Sequence, residues 1–170
     1  MTSSARILGI DTALRASGVG VVEASGSKLK LVAYDVIRSK PKVPISQCLL
    51  HLDEGLQDII RETQPDAVAI EGAFYFKNAR TAMVLGQARG TAITACTRAG
   101  LKLYEYAPRR VKQAIVGFGG AQKSQVQKMV VTLLNLSETP PEDASDALAL
   151  AICHVHSSGK HAALQKTEPL

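Results

Sequence analysis

Arg6-Ile-Leu-Gly-Ile-Asp11 and Ala67-Val-Ala-Ile-Glu71 are short apolar runs, each closed by an acid. Neither run alternates polar with apolar residues, so each reads as a strand covered on both faces, as in the parallel sheet of an α/β protein. Open α/β sheets present their ligand sites at the carboxyl ends of such strands, where Asp11 and Glu71 fall. Two more acids, Asp143 and Asp146, stand at i and i+3 before an alanine-rich helical stretch and share one face of it. If that helix crosses the strand ends, four carboxylates converge, and their hard oxygens suit divalent cations. Without a cation such a group repels itself.

Working outward from these runs, three strands are expected at about 5–11, 18–24 and 28–38, with bends at Gly18, Gly20 and Ser25-Gly26-Ser27. Lys40-Pro-Lys-Val-Pro44 ends the third. A helix over about 45–63 follows, because Ile45, Leu49, Leu52, Leu56 and Ile59 recur at helical spacing. After the strand carrying Glu71, Asn78 caps a helix running to about 98, and Leu101 to Tyr106 forms a fifth strand. Pro108 opens a short helix that Gly117 ends, and another helix covers about 122–136. Pro140-Pro141 introduces the last helix, which ends near His156. The order is β-β-β-α-β-α-β, then helices.

With 170 residues, 46% of them hydrophobic, the chain can bury a substantial core within one domain, expected over 1–157. Met1-Thr-Ser-Ser-Ala leads straight into a strand pattern, and no apolar run approaches the ~20 residues of a membrane span, so an intracellular protein is expected. Cys48, Cys96 and Cys153 are widely spaced and odd in number, which fits packed, reduced thiols and neither a zinc ribbon nor a disulfide framework. His51, His154, His156 and His161 show no ligand spacing with an acid and read as structural or exposed. The net charge of +5 hides an asymmetry: from Lys77 to Lys128 lie ten of the twenty Lys and Arg residues but a single acid, Glu105. A basic block beside a carboxylate cluster is what a metal-dependent nuclease needs, although a solvated basic helix face would read the same way. The tail after Ser157 carries no motif and is expected to be mobile over 158–170.

Gly9-Ile-Asp-Thr-Ala-Leu-Arg-Ala-Ser-Gly-Val-Gly-Val-Val22, Ala69-Ile-Glu-Gly-Ala-Phe-Tyr-Phe-Lys-Asn78, Leu85-Gly-Gln-Ala-Arg-Gly90 and Glu142-Asp-Ala-Ser-Asp-Ala-Leu-Ala-Leu-Ala-Ile-Cys-His154 closely resemble the RuvC family of bacterial Holliday-junction resolvases. So do Tyr106-Ala-Pro-Arg-Arg-Val-Lys-Gln-Ala-Ile-Val-Gly117 and Ala121-Gln-Lys-Ser-Gln-Val-Gln-Lys-Met129, which extends the resemblance over about residues 5–157. It implies a ribonuclease-H-like fold: a five-stranded mixed sheet with three antiparallel N-terminal strands, then alternating helices and strands. It further implies a cytoplasmic homodimer that nicks four-way DNA junctions symmetrically during recombination and repair, with a branch-migration helicase complex as partner. Asp11, Glu71, Asp143 and Asp146 would be the catalytic metal ligands, holding two magnesium ions, with manganese as a substitute. Two ions can activate a water and relieve the leaving oxygen of its charge, so no histidine or cysteine nucleophile is required.

The same resemblance places Phe74 against an unpaired base, and Lys112 and Lys123 near the scissile phosphate and along the DNA path. Arg80, Arg89, Arg109 and Arg110 are further DNA candidates within the basic block. Gly86 and Gly90 interrupt a helix at about 0.5–1 kcal/mol each relative to alanine, so something must approach them closely. With Ala82 and Met83 they suit packing against a second copy, or against the chain's own sheet. Two departures from the family pattern stand out: Thr12-Ala13 in place of Pro-Gly, and Gln122 in place of an acid before Lys123. They leave open the shape of the first turn and the pairing of that lysine. Competing readings are a YqgF-like ribonuclease-H-fold nuclease acting on RNA and a non-catalytic junction-binding protein.

Overall fold

The run that closes on Asp11 becomes the middle strand of the sheet in a computed structural model of the chain, which describes residues 4–72, 78–158 and 168–170. This strand, β1 (Ala5–Asp11), continues into antiparallel β2 (Ala16–Ser25) and β3 (Lys28–Arg38). On its other side β4 (Ala67–Glu71) and then β5 (Lys102–Tyr106) add in parallel. Among the described residues the sheet has the order β3-β2-β1-β4-β5. The helices are α1 (Ile45–Thr63), α2 (Ala79–Arg98), α3 (Pro108–Val116), α4 (Lys123–Leu133) and α5 (Glu142–Ser158). No helix of the described residues is long and apolar enough to cross a membrane.

The period of two along each strand sorts side chains between the sheet's faces. Leu8 and Ile10 of β1, with Val68 and Ile70 of β4, pack against Leu52, Leu56, Ile59 and Ile60 of α1 and the small residues Ala88, Ala92 and Ala95 of α2. Ile7 and Ala69 face the other way, onto α3, α4 and the Leu148-to-Cys153 stretch of α5. Burying a Leu or Ile side chain stabilises by ~1.5–3 kcal/mol, and both faces are filled this way. The central strands therefore had to be apolar throughout. Asp11 and Glu71 follow the phase of Ile7 and Ala69, so both acids stand on the α5 side.

Glycine sets how close α5 comes. Gly9 and Gly20 pair across β1 and β2, as Gly18 does with Asp11. A Cβ on Gly9 would fall inside the contact radius of the Ala147 carbonyl oxygen, one on Gly18 would meet the Asp143 carbonyl, and one on Gly20 would stand 2.7 Å from Leu148 Cδ2. Sheet glycines and helix alanines thus let two backbones touch where side chains normally separate them. The helix that carries Asp143 and Asp146 is lowered onto the sheet beside Asp11.

The element boundaries follow local chemistry. Asn78 accepts a hydrogen bond from the Thr81 amide at 3.2 Å, capping α2 as its sequence predicts. Gly117 takes φ 97°, which ends α3, and Asn135 at φ 50° ends α4 earlier than the expected 136. Strand β2 begins at Ala16, two residues before the expected start, because Ala16 and Ser17 pair with Arg38 and Ile37. Of the tail, residues 168–170 are described, and the Leu170 amide donates to the Leu103 carbonyl at 2.9 Å.

Candidate active site

Register places the first two acids side by side. Ile10 pairs with Ile70 in the parallel β1–β4 ladder, so Asp11 and Glu71 are the next residues on neighbouring strands, which lie about 4.8 Å apart. The end of β4 is held by Arg89 from α2. Its guanidinium donates to the Glu71 carbonyl oxygen at 2.5 Å and to the Glu105 carboxylate on β5. The Arg89 side chain is only 17% exposed, so this cation is built into the wall behind Glu71.

The turn after Asp11 answers the first departure from the family pattern. Without Pro-Gly, Ser17 closes it: its hydroxyl accepts from the Ala13 amide at 3.0 Å and donates to the Ala13 carbonyl at 2.5 Å. Arg15 then ties the turn to the segment after β3, donating to the Lys40 and Val43 carbonyls at 2.7 and 3.0 Å. A buried hydroxyl does here what a Pro-Gly turn does by backbone preference.

Asp11, Glu71 and Asp146 open onto one cleft of about 300 Å³, together with Lys112, Lys123, Pro108 and Val111. Asp143 is not part of that lining, yet it is close enough for its charge to act on Asp11. Burial, then the charges of Asp146, Glu71 and Asp143, push the Asp11 carboxyl up to about 7. Burial and Asp146 also raise Glu71, against the pull of Lys123 and Arg89. Asp146 is raised chiefly by burial, although Lys123 opposes the shift. Like charges in a partly desolvated cleft disfavour one another's ionised forms, so the proton belongs to the group.

Lys123 is the countercharge. Its ammonium donates to Asp146 Oδ2 at 2.7 Å and to Glu142 Oε1 at 2.5 Å. Burial alone would lower its pKa, but those two bonds outweigh it and hold the lysine charged. This answers the second departure: with Gln122 before it, Lys123 takes its carboxylate partners from α5. Glu142 and the strand-end role of Arg89 are the residues that sequence reasoning missed.

Among the described residues, no three acidic, histidine or cysteine side chains stand ready-made around a cation. The expected convergence is therefore looser than four ligands about one point: Asp143 stands outside the cleft lining, and Lys123 holds Asp146. The donor set still fits divalent ions. It is all carboxylate oxygen, Asp11, Glu71 and Asp146 face one cleft, and the raised pKa values of those three mark negative charge that a hard cation would offset.

The DNA candidates divide. Lys112 lines the cleft and also an adjoining groove with Pro108, Arg109, Gly119 and Gly120. Arg80 is exposed in the first turn of α2. Arg110 turns away: it donates to Ser157 Oγ at 3.1 Å, eleven residues along α5 from Asp146, or about 16 Å. Phe74 lies outside the described residues. Gly86, Gly90 and Met83 are exposed on α2, with Ala82 half-buried, and a Cβ on either glycine would meet nothing within 4 Å. Those glycines do not pack against the chain's own sheet.

Comparison with known proteins gives the same picture. The family model for RuvC, crossover junction endodeoxyribonuclease, matches residues 7–154. A crossover junction endodeoxyribonuclease RuvC from Caldanaerobacter subterraneus is 48% identical over 154 residues, covering 90% of this chain and 93% of that protein. The one from Desulforamulus reducens is 47% identical over 153 residues, covering 89% and 94%. Thermus thermophilus RuvC, solved in complex with a Holliday junction substrate, superposes with a TM-score of 0.88 at 32% identity, covering 98% of this chain and 99% of that one. Such identity across nearly the whole length, with the ribonuclease-H-like sheet and its acid-lined cleft, means that the chain belongs to the RuvC family of crossover junction endodeoxyribonucleases.

Proposed function

We propose that this protein resolves four-way DNA junctions by paired symmetric nicks, with Asp11, Glu71, Asp143 and Asp146 as the ligands of two magnesium ions, which manganese can replace. The observation that carries the reading is one cleft lined by Asp11, Glu71, Asp146, Lys112 and Lys123 in a chain of this family. Bound there, the ions supply a water nucleophilic at neutral pH and neutralise the leaving oxygen. The chain's own residues do the rest. Arg89 fixes the backbone at Glu71, the sheet glycines fix α5, and Lys112 and Lys123 meet the scissile phosphate. Phe74 stacks on an unpaired base beside it.

A junction has two-fold symmetry, and so does a pair of active sites carried by a C2 dimer. The open α2 face of Ala82, Met83, Gly86 and Gly90 is the surface on which two copies meet. The nuclease unit spans 1–157 and works in the bacterial cytoplasm beside a branch-migration helicase complex.

The test uses a synthetic mobile junction, a linear duplex and an RNA hairpin, each with and without magnesium. Paired nicks in the junction alone, only with metal, support the reading, and Glu71→Gln should abolish them while junction binding persists. Cleavage by Glu71→Gln would remove Glu71 from the site, and preference for the hairpin would favour a ribonuclease.

A further inference from the structure

Phe118 is a large aromatic that the fold leaves 52% exposed, in the four-residue loop Gly117-Phe-Gly-Gly120 between α3 and Ala121. The glycines around it are used. A Cβ on Gly120 would stand 3.5 Å from Phe118 Cε2, so the ring lies over bare backbone. At Gly119 a Cβ would collide with the Arg109 side chain, which rests on the loop. Gly119, Gly120, Arg109 and Lys112 line the groove of about 510 Å³ that shares Pro108 and Lys112 with the acid-lined cleft. A chain of phosphates leaving the cleft past Lys112 meets Arg109 next, and the Phe118 ring at the groove's edge.

We propose that Phe118 is a base-stacking contact for the DNA strand leaving the active-site cleft, with Lys112 and Arg109 holding its phosphates. Cations tracking a backbone beside an aromatic face that takes a base are how proteins hold unpaired nucleotides, and an unpaired base is what a junction offers near its crossover. Continuity with the cleft and the groove's positive charge select nucleic acid over an apolar protein segment. The inference rests on the junction-resolving reading and adds a second contact for the same strand, beyond the Lys112 side of the cleft.

The chain has no tryptophan, so Phe118→Trp installs a lone reporter at the point in question. Junction binding is measured by anisotropy in EDTA for the wild type and for Phe118→Ala, Phe118→Leu and Phe118→Trp, with melting and sedimentation alongside. Phe118→Ala should weaken binding about tenfold, within the range for losing one aromatic–base stack, with melting and oligomeric state unchanged. Phe118→Leu should restore little. Phe118→Trp should bind like the wild type, its indole emission quenched by saturating junction. Wild-type affinity in Phe118→Ala, full rescue by leucine, or indole emission that ignores the junction overturns the proposal. A shift of Phe118→Ala to monomer overturns it too, by making Phe118 a contact between copies. If the wild type holds the junction and Phe118→Ala holds it equally well, this inference alone fails. If the wild type does not hold it, the resolvase reading falls and takes this inference with it.

Discussion

Replacing Asp11 by asparagine removes the most perturbed acid of the cleft while nearly keeping its shape. The wild-type carboxyl titrates at about 7 in the folded protein, against the ordinary 3.8. Its folded pKa is raised, so the native state holds the proton more tightly than the unfolded chain. Its contribution to stability is complete below pH 3.8 and is lost as pH rises towards 7. A shift of roughly three units corresponds to about 4 kcal/mol, and water reaching the open cleft reduces that to about 2 kcal/mol. Asp11→Asn cannot ionise and escapes the loss. In EDTA its melting temperature should equal that of the wild type near pH 4 and exceed it by roughly 4–8 °C at pH 8, at 2–4 °C per kcal/mol for a domain of this size.

Magnesium should close the gap from the other side. An ion that binds the folded cleft stabilises by mass action, about 2.7 kcal/mol at a hundredfold excess over Kd, and it displaces the shared proton. The wild type should therefore gain more from magnesium at pH 8 than Asp11→Asn, and its binding should release protons measurable by calorimetry in buffers of different ionisation enthalpy. Asp11 is the better probe than Asp146, whose carboxylate accepts from Lys123 and whose loss would strand that ammonium. If the difference between Asp11→Asn and the wild type is independent of pH, or if Asp11→Asn is the less stable protein at pH 8 without metal, the acids do not share one field.

Gly18→Ala should displace α5, because the added methyl meets the Asp143 backbone carbonyl and not a flexible side chain; a loss of about 3 kcal/mol by denaturant melting and a fall in nicking of about a hundredfold are expected. Lys112→Ala should lower the slope of log K against log salt for junction binding by about 0.9, the share of one phosphate contact, as read by anisotropy titrations at several salt concentrations. A tryptophan placed by Gly86→Trp or Gly90→Trp has room in the isolated chain, so folding should survive while sedimentation shows monomers and paired nicking gives way to single nicks.

Much of this was legible in sequence because buried parallel strands and alternating elements leave strong signatures. The runs ending at Asp11 and Glu71, the Asn78 cap and the Gly117 stop were readable from propensity and from the special conformations that Gly and Asn accept. The partners of charged side chains were not. Arg89 belongs to a basic block and reads as a DNA contact, yet it is engaged with the Glu71 carbonyl and Glu105. Arg110 sits beside Arg109 in sequence, but α3 turns one towards Ser157 and the other towards the groove. Composition locates charge along the chain, and only the fold determines which face each charge takes. Phe118 reads as one residue of a loop until its glycine neighbours and the groove beside it are seen together.

The cleft's electrostatics explain how a site can be assembled before its ions arrive. Four acids brought together by strand register and by a glycine-bedded helix would repel one another if all were ionised and unscreened. Three features hold the assembly. Burial lets the group share a proton near neutral pH, Lys123 supplies a positive charge against Asp146, and Arg89 pins the strand end behind Glu71. Asp11, Glu71 and Asp146 would hold a divalent ion in the cleft, while Lys123 keeps Glu142 as a partner 2.5 Å away if it gives up Asp146. Glu142 offers Lys123 an alternative neighbour to Asp146. In the proposed reading, that second partner would let the lysine turn towards a phosphate and stay paired through Glu142.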